Sequence, residues 1–443
     1  MTDELHNLRV NSDRMLDAFN ELSQIGATGA ALTGEAVSKR DGGVNRPTFS
    51  EAHLAARQWF REQIEKAGLE FRTDGAGNHS AVLASAGRVG GGFRYAENAT
   101  QPSPPYRDQT LLLGSHLDSV PNGGRFDGAL GVMAALEVLR TIKDAGLRPR
   151  LNLEAIDFTD EEGTLVGLLG SSALAGHLRH EILQNPRGGR EALLEGMERA
   201  SLSDESMLSA ARSKDSLAGY LELHIEQGKR LERAGIDIGI VSAIVGIWSY
   251  RLSFLGRADH AGSSMMEDRL DASLGASAFT LGAREIVMND FPNCVLNIGD
   301  MEFTPGAFNI VAARVDVSLE FRSPDEEEFQ RLAVSLLERA KQEARRFGLE
   351  LRAESLGRHS PSLMSEKIQH ALADACNNLG LSHVPLISGA GHDGQSLADI
   401  CPVGMIFVPS VDGASHSPRE YTEWEDCVNG ANVLLQAALR LGM

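Results

Sequence analysis

The segment LLLGSHLDSVPNGGRFDGALGV, residues 111–132, sets His116, Asp118 and Asp127 directly behind a run of three leucines. An imidazole and carboxylates at the end of an apolar strand are proton-transfer or metal-binding groups. Open α/β sheets present their ligands beyond the carboxyl ends of their strands. The glycine-rich turn between His116 and Asp127 lets the backbone fold tightly and bring both side chains to one point. FTDEEG follows the next strand-like run with Asp160, Glu161 and Glu162, and GASHSP follows the last one with His416. LELHIEQG alternates so that Glu222, His224 and Glu226 share a side. Histidine, aspartate and glutamate together are borderline-hard N/O ligands suited to zinc, manganese, cobalt or nickel. With two ions, a bridging carboxylate keeps them close enough to share one water. Neighbouring glutamates diverge in a turn, so one can ligate while the other reaches that water. Taken singly, a histidine at a strand end is more often an ordinary hydrogen-bonded residue, and paired acids more often mark a helix N-terminus. Repetition in five segments, each at or just after a strand, favours a metal centre. His6, His53, His177, His180, His370 and His383 lack such context and read as structural or solvent-facing.

Positioning such groups takes a buried sheet. Leu111–Leu113 reads as a strand buried on both faces, ALGVMAALEVLRTIKDAGL as the following helix, and RLNLEAIDF as the next strand, a βαβ unit. Upstream, Met15, Leu16, Phe19, Leu22 and Ile25 recur at helical spacing. SEAHLAARQWFREQIEKAGL predicts a second helix, with Ser50 as N-cap and Gly68 ending it. Residues 86–109 are rich in glycine, proline and polar residues and read as an inserted surface loop. The composition shifts near residue 240. GIVSAIVGIWSYRLSFLG reads as strands, and DRLDASLGASAFTLGAREIVM as a helix. ARVDVSLEFR alternates, with Val315, Val317, Leu319 and Phe321 on one side of the strand. A long helix and the strand LELRAESLG complete the block. PLISGAGHDG and CPVGMIFVPS then return to buried-strand character. The pattern predicts an α/β fold: a mixed, mostly parallel sheet with helices on both faces, plus an inserted α+β sandwich. The catalytic domain takes residues 1–239 and 359–443, and the insert takes 240–358.

The 443 residues carry 61 acidic against 42 basic side chains, a net charge of -19, which argues against nucleic acid or an anionic membrane as partner. The first residues lack the apolar core of a signal peptide, and no run approaches a membrane span. Four cysteines without a CxxC pair fit a reducing cytoplasm. Cys376 and Cys401 read as core filler.

The motifs GSHLDSVPNGGRFDGALGV, DEEG, LELHIEQG, GRADHAGSS, SGAGHDG and MIFVPSVDGASHSPRE resemble the hydantoinase/carbamoylase branch of the dinuclear aminoacylase/carboxypeptidase-type metallohydrolases. The likeness runs from about residue 42 to the C-terminus. It implies two divalent ions per subunit, one held by His116, Asp127 and His224, the other by Asp127, Glu162 and His416. It further implies that Asp118 orients the ring of His116 and that Glu161 is the general base. Gln227, His260, Asn309, Arg322 and the backbone near Gly391 would contact substrate, with Arg322 as the fork for a carboxylate. His392 and Asp393 stay open between loop scaffolding and support of the ligands. The insert would pair two subunits in a homodimer, and His260 and Asn309 would then serve the neighbour's site.

The implied reaction is hydrolysis of the ureido C–N bond of an N-carbamoyl amino acid to amino acid, carbon dioxide and ammonia. A urea carbonyl is a poor electrophile because two nitrogens donate into it, and Lewis-acid polarisation is a sensible remedy. The alternative is allantoate or ureidoglycolate hydrolysis at the same site, followed by a dipeptidase or aminoacylase, and last by an inactive scaffold. The chain departs from the family pattern at Met265 and Ala312, where proline is usual, at His79 and Ser80, and in the 86–109 insertion.

Overall fold

The computed structural model describes residues 3–29, 42–86 and 109–443, so the expected loop lies outside them apart from its end residues 86 and 109. The chain divides into two compact units. One comprises Met1–Ser242, Met364–Leu386 and His392–Met443; the other comprises Ala243–Leu363 with Ile387–Gly391. A linear division at 240 and 358 does not assign that last short segment to the second unit. It belongs there because Val245 N donates to Ser388 O and Arg322 Nη1 to Gly389 O.

Numbered along the chain, the principal strands are β1 (Glu70–Thr73), β2 (His79–Leu83), β3 (Thr110–His116), β4 (Asn152–Phe158), β5 (Leu217–Ile225), β6 (Ile238–Ile244), β7 (Gly246–Leu255), β8 (Val295–Thr304), β9 (Arg314–Ser323), β10 (Glu350–His359), β11 (His383–Ser388) and β12 (Val403–Val408). The larger sheet runs β6-β12-β5-β3-β4-β2-β1, with β11 beside β6. Its centre, β12-β5-β3-β4, is parallel, and antiparallel pairs flank it on both sides. Every residue of β3, β4 and β12 is buried, as expected for strands covered on both faces. β11 differs from expectation. Only Leu386 and Ser388 of it are buried, because it pairs beside β6 rather than in the parallel centre.

The long helices of this unit are α1 (Ser12–Gln24), α2 (Glu51–Lys66), α3 (Ala129–Asp144), α6 (Glu366–Leu379) and α7 (Trp424–Gly442), with α4 and α5 in the second unit. Ser50 caps α2 by accepting the His53 N–H, as its sequence predicts. The five helices bury their apolar faces against Leu111, Leu113, Leu221, Leu223 and Ile225. By strand alternation Tyr220, Glu222 and His224 face the other way. That face meets the short helices Leu169–Ala175 and Asp393–Leu397. Four short helices between Leu169 and Leu208 share a separate cluster with Leu165, Leu183, Leu193, Met197 and Met207.

In the second unit β8-β9-β7-β10 form an antiparallel sheet. Val315, Val317, Leu319 and Phe321 of β9 are buried against α4 (Ala272–Asp290) and α5 (Glu326–Arg346). Each such burial is worth about 1.5–3 kcal/mol. Arg314, Asp316, Ser318, Glu320 and Arg322 point to the opposite face of the same strand. Among the described residues no helix is long and apolar enough to cross a membrane.

Candidate metal centre

Because β3, β4, β5 and β12 are parallel, their carboxyl ends share one edge of the sheet, and the chemistry-bearing residues collect there. His116 is the last residue of β3 and pairs in register with Phe158, just before Asp160, Glu161 and Glu162. His224, the penultimate residue of β5, pairs with Phe407, and the β12 segment continues to His416. Asp127 arrives from the turn after β3. Gly128, at φ +64°, closes that turn so tightly that a Cβ there would lie 2.4 Å from the His116 ring.

Two trios result, His116–Asp127–His224 and Asp127–Glu162–His416, each with ligand atoms within 4.8 Å of one another. Asp127 Oδ1 faces His224 Nε2 at 3.0 Å and His116 Nε2 at 3.6 Å. Its Oδ2 lies 3.4 Å from His416 Nε2, which is also 3.4 Å from Glu162 Oε2. One carboxylate thus serves both trios. His116 Nδ1 lies 3.0 Å from the Asp118 carbonyl and His224 Nδ1 2.9 Å from the Ile225 carbonyl. Carbonyls only accept, so both Nδ1 atoms carry hydrogen, and in the neutral rings the Nε2 lone pairs point at Asp127. His116 Nε2 is buried without a hydrogen-bond partner among the described residues. Lone pairs converging on a carboxylate repel one another unless protons or a cation lie between them. The donor sets, two imidazoles and a carboxylate in the first trio and one imidazole and two carboxylates in the second, fit zinc-like divalent ions.

The electrostatics agree. Burial opposes charge on the His116 ring, yet Glu161, Asp127 and Asp118 push it well above the ordinary range. Burial would raise Asp127, but His224, His116 and His416 hold it well below the usual carboxylate range. Glu161 is pushed well upward, first by burial, with His116 opposing and Asp393, Glu162 and Asp127 assisting. Burial followed by Asp127 lifts Glu162 to about 8. Glu161 Oε2 lies 3.5 Å from His116 Nε2, beside both trios, where a base could reach a shared water.

Asp118 holds the site differently from expectation. Its carboxylate is 3.6 Å from His116 Nδ1, too far for a hydrogen bond, and its backbone carbonyl makes that contact instead. The Asp118 carboxylate accepts the N–H groups of Glu161 and Glu162 and the Thr48 hydroxyl. It therefore positions the acidic loop. Glu226 lies past the end of β5 and accepts the Arg230 and Leu231 N–H groups, away from both trios. A third group, Glu222–His224–His392, shares the His224 ring with the first trio. Glu222 accepts from Ser115 Oγ and Gly394 N, which fastens the 392–394 loop to β5.

Other supports carry little signal in the sequence. Asp160, at φ +57°, accepts the Leu165, Val166 and Gly167 N–H groups and the Thr48 hydroxyl, curling its own loop around its carboxylate. Asp157 accepts Leu117 N at 2.8 Å and Arg57 Nε at 3.0 Å. Arg57 goes on to the Gly77 carbonyl and Thr159 Oγ1. A readable hint of this exists: Arg57 sits on the apolar face of α2, with His53, Ala56, Phe60 and Ile64.

Of the residues expected to touch substrate, Gln227 (φ +56°) donates to Asp127 Oδ2 at 2.8 Å and to Ser415 Oγ at 3.0 Å. His260, Asn309, Arg322 and Gly391 lie in the second unit. His260 Nδ1 accepts the Gly262 and Ser263 N–H groups, so its Nε2 carries the hydrogen in the neutral ring. Ala261 N donates to Asn309 O, and His260 bridges Ile310, joining the two loops. Half-buried Arg322 directs Nε and Nη2 to Glu320 and Nη1 to Gly389 O, which holds its guanidinium plane.

Residues 112–440 match the profile of peptidase family M20/M25/M40. The chain is 37% identical to N-carbamoyl-L-amino acid amidohydrolase of Geobacillus stearothermophilus, across 92% of this chain and 96% of the relative. It is 33% identical to ureidoglycolate hydrolase of Arabidopsis thaliana, across 90% and 82%. Among solved structures, a hydantoinase/carbamoylase family amidase from Burkholderia multivorans superposes with a TM-score of 0.82 at 29% identity, covering 98% of both chains.

Proposed function

This chain belongs to the peptidase M20/M25/M40 family, and from that premise we propose that it is a dinuclear-metal amidohydrolase of N-carbamoyl amino acids. The observation that carries the reading is the sharing of Asp127 between two ligand trios, with Glu161 3.5 Å from His116. We assign His116, Asp127 and His224 to one divalent cation and Asp127, Glu162 and His416 to the other, as zinc or as manganese, cobalt or nickel. When bound, such ions supply Lewis-acid polarisation of the ureido carbonyl and lower the pKa of water. Glu161 takes the proton of the attacking water and delivers it to the departing nitrogen. Asp118 keeps Glu161 in reach through its backbone, and Gln227 keeps Asp127 turned toward both trios. Arg322 receives a substrate carboxylate, and His260, Asn309 and the Gly391 backbone provide further contacts. The products are the amino acid, carbon dioxide and ammonia.

We further place a homodimer contact on the second unit, a reading supported by exposed Leu281, Met288 and Val295 along α4 and β8. The four buried free thiols support a cytoplasmic setting. A second reading, hydrolysis of ureidoglycolate or allantoate, draws support from the likeness to the Arabidopsis enzyme. Ammonia release from N-carbamoyl amino acids, allantoate and ureidoglycolate, with and without chelator, separates the two. Glu161→Gln is expected to lose at least about a hundredfold in kcat while still binding cations. Full activity in that variant overturns the assignment of the base.

A further inference from the structure

Glu420 is fully buried and stands outside both trios, yet it touches the chain on either side of them. Its Oε1 accepts the N–H groups of Phe126 (2.9 Å) and Asp127 (3.0 Å). Its Oε2 is 3.2 Å from Ser415 Oγ, the residue before His416. Ser415 Oγ also lies 3.1 Å from Asp127 Oδ2 and accepts from Gln227 Nε2 at 3.0 Å. The serine has one proton for two carboxylates, and with either orientation it ties the His416 loop to the Asp127 turn. Glu420 N in turn donates to Ser417 O, so the 415–420 loop is folded tightly around these contacts.

The opposite wall has been emptied for this carboxylate. A Cβ on Gly124 would lie 2.0 Å from Glu420 Cδ and Oε1 and 2.3 Å from Oε2. Gly124 does not occupy the left-handed region, so its backbone is open to alanine and the demand for glycine is one of space. Gly128 differs, since its φ of +64° adds a conformational demand to the steric one.

We infer that Glu420 is a positioning residue that sets the Asp127 turn against the His416 loop, and that Gly124 is the space it requires. The inference rests on the dinuclear reading above. Its consequence falls on the trio Asp127–Glu162–His416, whose histidine is half-exposed and comes from the loop that Glu420 anchors. In the trio His116–Asp127–His224 both histidines stand on sheet strands, so only the shared Asp127 depends on Glu420.

The test is titration of Co(II) into chelator-stripped protein, followed by the cobalt absorption bands and by bound-metal analysis, with circular dichroism as a check on folding. Wild-type protein should take up two ions. Glu420→Ala should keep the first and weaken the second by about tenfold or more, the range found when groups that hold metal ligands are removed. Glu420→Gln should stay within about threefold of wild type, because its amide oxygen still accepts both N–H groups. Gly124→Ala should reproduce Glu420→Ala without removing any polar group. The double variant should be no worse than Glu420→Ala alone, since deleting the carboxylate makes room for the methyl. Wild-type affinity for both ions in Glu420→Ala or in Gly124→Ala overturns the inference, as do losses that multiply in the double variant. Failure of wild-type protein to bind two ions would instead overturn the dinuclear reading.

Discussion

Replacing Arg57 by alanine asks whether charge holds the strand ends that carry the centre. Arg57 and Asp157 are both buried, 3.0 Å apart, and Asp157 also accepts the N–H of Leu117, the neighbour of His116. Removing one partner of such a pair leaves an uncompensated charge and costs about 3–5 kcal/mol. Asp157 sits at about 6 against an ordinary 3.8, because burial outweighs the attraction of Arg57. The folded state therefore holds this proton more tightly than the unfolded chain does. Its contribution to stability is complete below pH 3.8 and is lost as pH rises through 6. Without Arg57 the carboxyl moves higher still. The penalty of Arg57→Ala should then grow above pH 6, by at most about 1.4 kcal/mol per pH unit, and shrink toward pH 5. Urea unfolding of wild type, Arg57→Ala, Asp157→Asn and the double variant at pH 5 and pH 8 measures this. At pH 8 the double variant should recover part of the loss, since the buried charge has gone. An equal penalty at both pH values, or a double variant no more stable than Arg57→Ala at pH 8, would refute the reasoning.

Gly128→Ala should lower both the melting temperature and Co(II) uptake, because an alanine held at φ +64°, ψ -49° costs about 1–3 kcal/mol and its methyl would displace the His116 ring. Thermal melts with and without cobalt read both effects. Divalent ions at about a hundred times their Kd should stabilise wild-type protein by about 2.7 kcal/mol, and chelator should remove that gain. Unchanged melting would mean that the folded state does not bind them. Arg322→Lys should raise KM for an N-carbamoyl amino acid about tenfold or more with little change in melting, since an ammonium cannot reproduce a planar two-donor fork. An unaltered KM would remove Arg322 from substrate recognition.

Much of this was written where periodicity is plain. The leucines before His116 and the alternation of Val315, Val317, Leu319 and Phe321 identify their strands, because burial imposes its period directly on the sequence. The helix beginning at Ala129 is legible for the same reason. Strand order is a property of distant pairings, and nothing local marks β12 as the neighbour of β5. The short helices between Leu169 and Leu208 leave a weaker mark, because pieces of five to eleven residues complete only about one to three turns. Ligand-type residues stood out through their chemistry, and their supports did not. Asp118 looked like a partner for an imidazole, yet its carboxylate holds backbone amides. Glu420, in SHSPRE, resembles any surface acid until Gly124 and the Asp127 amides are placed around it.

The order β6-β12-β5 means that a late strand is threaded into the middle of the sheet rather than added at a margin. A nascent chain that has emerged only as far as residue 400 already carries β5 and β6, each with the rim β12 will occupy still bare. Such rims invite pairing with other chains. The same unfinished chain lacks His416, so the trio Asp127–Glu162–His416 is incomplete until residue 416 has been made. A chain cut before β12 therefore loses His416 and the centre of the sheet together.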